Sequence, residues 1–414
     1  MIKFAIRRNL KYPLQLLISN ILRDADNYLI RYLLDFNNTS CFIILIFFGE
    51  FLGGLIFYIK EYKFLSKNKK ENPIQFINIG FYKSNQNLPK DKISKRIFLI
   101  FVSSFFDFVP FLITVAISKY TNKSITFEQR FRGILTIYTT YITRCFLKLN
   151  IKKHQNFSIF IIFCLLDLLI ISETLYQETN IFSPPADLLW IFIVLIGVHL
   201  FCTIKNVIEK YLFEYNQTSP NFLLMLEGIF GLILTIIYYI FYPPFDVFIR
   251  FYKQKSTVEF IFLIIFLILY ILLSGAKNLF RVLTTKIFDP MTATFMDYIL
   301  NPLYIIITFS FLGDFVSNGK RNWINFGINL IVSLIISFFG GVYNEFIILF
   351  CCGFDRETHN QITLRSEFDS NINNLYNNDE DDISLENSTL PYIIPLQEGN
   401  TKEDKFSESN ENIK

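Results

Sequence analysis

Nine apolar segments, each long enough to cross a lipid bilayer, constrain this chain more than any other feature of its sequence. A helix rises 1.5 Å per residue, so about 20 residues span a hydrocarbon core roughly 30 Å thick. The chain is 52% hydrophobic, which is typical of membrane proteins. We therefore expect an all-α fold, a polytopic bundle of membrane helices. The predicted crossings are 41–59, 97–118, 124–147, 157–172, 188–204, 222–242, 260–276, 291–312 and 324–350.

The segment 12–34 leaves a tenth crossing open. It is only half apolar and contains Arg23, Asp24, Asp26 and Arg31, which makes it a poor membrane span unless the opposite charges pair. Nine crossings with a cytoplasmic C-terminus would put residue 40 on the lumenal side, whereas the basic residues among the first eight favour the cytoplasm. A tenth crossing at 12–34 removes this conflict.

Charge orients the predicted crossings and sets the C-terminal tail apart. Loops 60–96, 148–156, 205–221 and 277–290 contain 18 Lys and Arg, ten of them in 60–96, against 7 in the alternate loops. Because cytoplasmic loops are enriched in basic residues, the first set and the C-terminus should be cytoplasmic. The predicted organisation is a basic N-terminal segment 1–40, a first membrane half 41–175, a second half 187–350 and an acidic, disordered tail 351–414.

Five carboxylates lie well inside the predicted crossings. They are Glu50, Asp107, Asp167, Glu227 and Asp297. On insertion scales a charge near the bilayer centre costs about 2.5–3.5 kcal/mol, so such residues normally face the bundle interior or a wet cavity. Each of them, taken singly, is also explained as a group that holds helices together through a hydrogen bond. Together they predict a substrate pathway, and a protonated carboxyl is also what a proton-coupled carrier needs.

Further polar residues are candidates for the same pathway. Asp297 and Asn301 are four residues apart in the span 291–312, and such residues share a helix face. Gln129 and Arg132 share a face near a helix end, and arginine suits bidentate capture of phosphate or carboxylate. Lys277 lies at a predicted cytoplasmic helix end with Arg281, where cations also simply complement the helix dipole.

Two short patterns concern packing and modification. Gly49 and Gly53 form GxxxG, which favours close helix packing within the bundle and leaves a homodimer open. Cys351 and Cys352 follow the last crossing at the membrane edge, where palmitoylation is chemically reasonable.

Enzyme and nucleic-acid classes have no support in the sequence. The three histidines lie near no Asp or Glu at catalytic spacing, and no nucleophile elbow, P-loop or zinc motif occurs. The chain contains no cofactor motif, and its one strongly basic loop adjoins the membrane. The expected partners are therefore a small-molecule substrate and the lipid bilayer, without nucleic acid.

Two pairs of segments resemble each other at the same offset. GEFLGGLIFYI (49–59) matches LEGIFGLILTIIYYI (226–240), and RFRGILTIYTTYITRCFL (130–147) matches FMDYILNPLYIIITFSFL (295–312). Both pairs are five crossings apart, as two inverted five-helix repeats require. This match makes Glu50 and Glu227 equivalent, and we expect both to face one central cavity.

Several of these stretches also resemble a known family. They include FFGEF (47–51), FEQRFRG (127–133), VIEKYLFEYNQTSP (207–220), LEGIFG (226–231), LTTKIFDPMTATFMDYI (283–299) and VYNEF (342–346), and they occur in the family's order. The chain is similar to the drug/metabolite transporter superfamily, and within it to solute carrier family 35, subfamily F, which is nucleotide-sugar-transporter-like. The resemblance implies ten helices in two inverted repeats, cytoplasmic termini and an endomembrane location such as Golgi, ER, lysosome or vacuole. The charged segment 12–34 departs from the family's apolar first helix.

The sequence therefore predicts a secondary-active transporter of a small organic solute. Because acids outnumber bases deep in the spans, a proton-coupled solute is favoured, with a nucleotide-sugar antiporter and a non-transporting membrane adaptor as alternatives.

Overall fold

The computed structural model describes residues 2–4, 11–34, 36, 39–68, 93–121, 133–148, 151–176, 185–243, 245–288, 290–311, 316–317, 320–321 and 323–349. The tail 351–414, with Cys351 and Cys352, lies outside the described residues, as do Gln129 and Arg132. The described residues are predominantly helical, which confirms the predicted all-α class. The remaining regular structure consists of two short antiparallel strand pairs, β1 (Ile2–Phe4) with β4 (Ile347–Leu349) and β2 (Val316–Ser317) with β3 (Lys320–Arg321).

Twelve α-helices are described. They are α1 (Lys11–Tyr28), α2 (Thr39–Asn68), α3 (Ile93–Thr121), α4 (Gly133–Leu147), α5 (Lys153–Tyr176), α6 (Pro185–Glu214), α7 (Pro220–Phe241), α8 (Phe245–Gln254), α9 (Thr257–Ile287), α10 (Pro290–Tyr298), α11 (Asn301–Phe311) and α12 (Trp323–Tyr343). A π-helical turn, Leu29–Leu33, continues α1.

Five of the described helices are long and apolar enough to cross a membrane. These segments are Ser40–Phe64, Ile93–Ile113, Pro220–Phe241, Thr257–Ile287 and Trp323–Tyr343. One side of α9 exposes a run of large apolar side chains, including Phe262, Ile265 and Leu272, to the outside of the bundle. Such a surface fits contact with lipid, and the chain is consistent with an integral membrane protein.

Two predicted crossings differ from the observed helices. The segment 291–312 is divided into α10 and α11 by a turn at Ile299–Leu300. Pro302 explains the break, because proline has no N–H to donate and its ring clashes with the preceding helical turn, so it belongs in the first turn of a new helix. The last span ends at Tyr343 rather than at residue 350. Two residues after Tyr343, Glu345 takes a left-handed conformation with a φ of 58°, and β4 begins shortly afterwards.

The segment 12–34 forms the helix α1 despite its charges. Among the described elements, α1 packs mainly on α9 and also contacts α10. Opposite charges on α1 pair, since Arg23 donates to Asp24 at 2.7 Å. Asp24 also accepts a hydrogen bond from Tyr304 of α11. The polar face of α1 is thus turned towards other helices.

Helices α2 and α7 run antiparallel along their whole length. At one end Tyr239 Oη donates to the carbonyl of Ser40 at 2.5 Å, and at the other Ser219 Oγ donates to Glu61 at 2.7 Å. Between these points Gly54 and Gly228 bring the two backbones into direct contact. Glycine is needed there because a Cβ would meet main-chain atoms of the other helix.

The turns and helix ends fall into two groups, and contacts join the members of each group. The first group, called the first end, joins Glu61 to Ser219, Lys210 to Phe288, Thr292 to Asn344, Lys152 to Glu345, and β1 to β4. The second group, called the second end, joins Ser40 to Tyr239, Phe36 to Phe251, and Ser172 to Asn325.

Candidate functional site

A cavity of about 240 Å³ lies among α1, α3, α6 and α9, and charged side chains dominate its polar lining. Apolar side chains such as Phe42, Phe111 and Tyr270 form the rest of the wall. A polar cavity inside an apolar bundle is the usual form of a solute site in a membrane protein. Its polar lining residues are Arg23, Asp24, Asn27, Arg31, Asp107, His199, Lys205, Asn206, Lys277, Asn278, Arg281 and Thr294.

The lining has an excess of positive charge. Among the described residues that line it, five side chains are Lys or Arg, and two, Asp24 and Asp107, are acidic. Asp24 is bound by Arg23 and also interacts electrostatically with Lys277. Arg31, in the π-helical turn, accompanies them and lies 5.2 Å from the ring centroid of Phe42. The π-helical turn that follows α1 therefore contributes Arg31 to the lining, and such turns are frequent at functional sites.

Lys205 and Arg281 are both buried and both paired. The Lys205 Nζ lies 2.5 Å from Asp107 Oδ2 and 3.8 Å from Glu209 Oε1. The Arg281 guanidinium binds both carboxylate oxygens of Glu209, at 2.8 and 2.9 Å. Paired, bidentate geometry is what allows a charge to remain buried. These contacts tie α3, α6 and α9 together at the cavity wall.

Glu50 and Glu227 are buried behind the wall and do not line the cavity. Glu50 Oε1 accepts a hydrogen bond from Asn278 at 2.7 Å, and Glu227 Oε1 accepts one from Ser103 at 2.6 Å. Their exposed fractions are 0% and 1%. Because Asn278 itself lines the cavity, Glu50 is one hydrogen bond away from it.

The structure brings together part of the set that the sequence predicts. Asp107 and Lys277 line the cavity, whereas Asn301 is buried at the start of α11, away from the lining. Asp297 belongs to α10, but its side chain lies outside the described part of the structure. The prediction that Asp297 and Asn301 share one helix face is wrong, because the turn before Pro302 puts them in separate helices.

Two side chains near the cavity have roles that the sequence interpretation missed. The sequence explains Arg281 as a cation at a helix end, but the residue is 7% exposed and bound to Glu209. Lys210 of α6 reaches a second helix, because its ammonium donates to the carbonyls of Thr285, Lys286 and Phe288 at the C-terminus of α9.

The polar face of α1 was also missed, although the sequence carries a signal for it. Asn20, Asp24, Asn27 and Arg31 recur at intervals of three and four, the spacing of one helix face. The apolar residues around them support a helix with one polar stripe.

Among the described residues, no cluster of His, Cys, Asp and Glu is arranged to hold a metal ion. The chain matches no protein-family model and no curated protein. The site therefore has to be interpreted from its own residues.

Proposed function

We propose that this protein is a secondary-active transporter that carries a small organic solute by alternating access. The observation that supports it best is the charged cavity enclosed by α1, α3, α6 and α9. Buried charges are costly within a bilayer and mark solute or ion pathways. A purely structural polar core would not need five cations around open space.

Ten crossings account for the contacts at the two ends of the bundle. β1 precedes α1 and pairs with β4, which follows α12, so both termini of the bundle belong to the first end. An even number of crossings must separate two segments on the same side of a membrane. The nine apolar crossings then require α1 as a tenth, with α10 and α11 together forming the ninth.

The antiparallel contact between α2 and α7 supports two inverted five-helix repeats. In a ten-crossing chain α2 and α7 are the second and seventh crossings, five apart, and inverted repeats make such helices antiparallel. This arrangement agrees with the resemblance to solute carrier family 35, subfamily F, which we propose as the chain's family.

The first end is proposed to face the cytoplasm. It contains Glu61, Lys152 and Lys210, which belong to or adjoin the loops that are rich in Lys and Arg. The C-terminal tail would then be cytoplasmic, and an endomembrane location follows from the family resemblance.

The charge of the lining favours an anionic solute. Lys277, Arg23 and Arg31 are suited to phosphate or carboxylate groups, which need cations to offset their charge in a low dielectric. This favours an anion such as a nucleotide sugar, which the sequence left as an alternative substrate. Proton coupling remains a second element of the proposal, because Glu50 and Glu227 are buried beside the wall.

Uptake into vesicles reconstituted with the full chain tests the proposal. Labelled nucleotide sugars and dicarboxylates would be offered as a panel, with each unlabelled compound inside the vesicles as exchange partner. Lys277→Gln should reduce uptake of the transported anion about tenfold or more, because hydrogen bonds to charged groups contribute roughly 1.5–3 kcal/mol. Lys253→Gln, an exposed lysine of α8, is the matched control and should leave uptake unchanged.

A folded protein that moves none of these solutes would contradict the transporter proposal and favour a membrane adaptor of the same fold. A cation carried in preference to all anions would contradict the proposed substrate charge alone.

A further inference from the structure

Six charged side chains form one buried electrostatic network beside the cavity. Within it the cations are matched one to one, since Lys205 pairs with Asp107 and Arg281 pairs with Glu209. The members are Glu50 on α2, Asp107 on α3, Lys205 and Glu209 on α6, Glu227 on α7 and Arg281 on α9. With every group ionised, four carboxylates face two cations, and the network carries two negative charges in excess.

The excess charge belongs to Glu50 and Glu227. Each accepts one hydrogen bond, and among the described residues the second oxygen, Oε2, of each has no hydrogen-bond partner although both side chains are fully buried. Both are attracted by Lys205 and Arg281, but both are repelled by Glu209 and by each other, and Asp107 also repels Glu50. A buried carboxylate without its own counter-charge is neutralised by a proton when one is available.

We propose that Glu50 and Glu227 bind two protons that are transported together with an anionic solute. This inference rests on the proposed transporter function and names its coupling ion. Each carboxylate takes up one proton from the side on which the solute enters and releases it on the other. Two protons and a dianion then cross without net movement of charge, so the membrane potential neither drives nor opposes the step.

The network and the cavity share side chains, and these shared side chains couple protonation to binding of the solute. Lys205, Arg281 and Asn278 contact Glu209, Asp107 or Glu50 on one side and line the cavity on the other. When Glu50 and Glu227 are protonated, the two cations are opposed only by Asp107 and Glu209, and the cavity attracts an anion more strongly. When both are ionised, their negative charge cancels this attraction. By linkage, a bound anion must favour protonation of the pair by the same factor.

Asp24 and His199 are further ionisable groups that line the cavity. Asp24 is held by Arg23 and Tyr304 and interacts with Lys277. His199 of α6 also lines the cavity, so a variant with His199 replaced by Gln separates its titration from that of the carboxylates.

Infrared spectroscopy of the purified full chain measures the protonation directly. The carbonyl stretch of a protonated carboxylic acid should be present at neutral pH and should disappear when the pH is raised. Glu50→Gln and Glu227→Gln should each remove a part of that band, and the double variant should remove both parts. Buried Asp26 of α1 also has no hydrogen-bond partner for either carboxylate oxygen among the described residues, so its contribution is identified with Asp26→Asn. Glu214→Gln, which changes an exposed carboxylate at the end of α6, is the control and should leave the band intact. Absence of the band, or a band in the double variant equal to that of the unmodified chain, would overturn the proposal.

Binding of radiolabelled sulfate tests the coupling. Sulfate is a suitable probe because it remains a dianion over the whole working pH range. Lowering the pH should tighten its binding by roughly 5- to 150-fold, the range of ordinary coupling between sites. The double Gln variant should bind sulfate tightly at every pH, since an amide imitates the neutral acid, and His199→Gln should retain the pH dependence. A double variant with unchanged pH dependence, or one that does not fold, would contradict the inference.

These measurements test the proton coupling separately from the transport activity. Protonation and sulfate coupling without any solute flux would refute transport alone, whereas flux with pH-independent sulfate binding would refute the coupling alone.

Discussion

Gly54 of α2 and Gly228 of α7 are related by a local two-fold axis at the contact of the two helices. A Cβ at Gly54 would lie against the backbone nitrogen and Cα of Met225, three residues before Gly228. A Cβ at Gly228 would lie against the same atoms of Phe51, three residues before Gly54. In each case the added Cβ would be 2.7 Å from the opposing Cα. The reciprocity shows that the contact between α2 and α7 is locally symmetric.

Replacing either glycine should prevent correct packing of the bundle. Gly228→Val puts two methyl groups against main-chain atoms that no rotamer change can move, so the cost should exceed the roughly 1–3 kcal/mol of ordinary overpacking. Thermal unfolding of the purified protein measures the effect. Gly197→Ala and Gly327→Ala are the controls, because at both positions the described residues of the other elements place no heavy atom within 4 Å of the added Cβ. If Gly228→Val, the two control variants and the unmodified protein all unfolded at the same temperature, the close contact between α2 and α7 would be contradicted.

Glu209 and Arg281 should be strongly coupled in stability. Arg281→Gln removes the bidentate partner of Glu209 and leaves this buried carboxylate with only the more distant Lys205, at 3.8 Å, as counter-charge, so the cost should approach the roughly 3–5 kcal/mol of a broken buried pair. The double variant Arg281→Gln with Glu209→Gln should recover much of this loss, since no unpaired charge remains. A double-mutant cycle by thermal or denaturant unfolding gives the interaction energy. Additive effects of the two single changes would show that the pair is not coupled.

Lys210 should stabilise the end of α9. Lys210→Met keeps the apolar stem but removes the ammonium that donates to three carbonyl oxygens, the nearest being that of Phe288 at 2.9 Å. The expected loss is about 1–3 kcal/mol in the free energy of unfolding. Lys253→Met, at an exposed position of α8, should have no comparable effect. Faster hydrogen exchange confined to the C-terminus of α9 would identify the mechanism.

Single cysteines should map the two ends to opposite sides of the membrane. With the six native cysteines replaced, Lys148→Cys and Tyr215→Cys at the first end should react with an impermeant reagent from one side of sealed vesicles. Tyr242→Cys and Lys253→Cys at the second end should react only from the other. All four positions are exposed. Labelling of Lys148→Cys and Tyr215→Cys from different sides would contradict the ten-crossing arrangement.

The sequence by itself determined the class of the protein and the chemistry of its interior. Long apolar segments predict membrane helices without any tertiary information, because the free energy of transferring them from water into a membrane depends on their composition and length. In the same way, Glu50, Asp107 and Glu227 are predicted to lie inside because a charge facing lipid is too costly. Their burial, or their position at the cavity, follows that reasoning, whereas Asp167, for which the same prediction was made, is exposed on α5.

Only the tertiary structure decided which charges meet. The similarity between the two sequence segments pairs Glu50 with Glu227. The reciprocal contact of the two helices instead pairs Gly54 with Gly228. The same offset pairs Glu50 with Leu224, which lies three residues before Glu227. Arg281 and Glu209 are 72 residues apart, and nothing in local periodicity connects them.

Segment 12–34 is too polar to cross a membrane when its hydropathy is judged alone. Packed on α9, Asp24 of this segment is held by the adjacent Arg23 and by Tyr304, which is 280 residues away in the chain. Pairing between distant residues decides whether a buried charge is tolerated, and that is a property of the folded bundle.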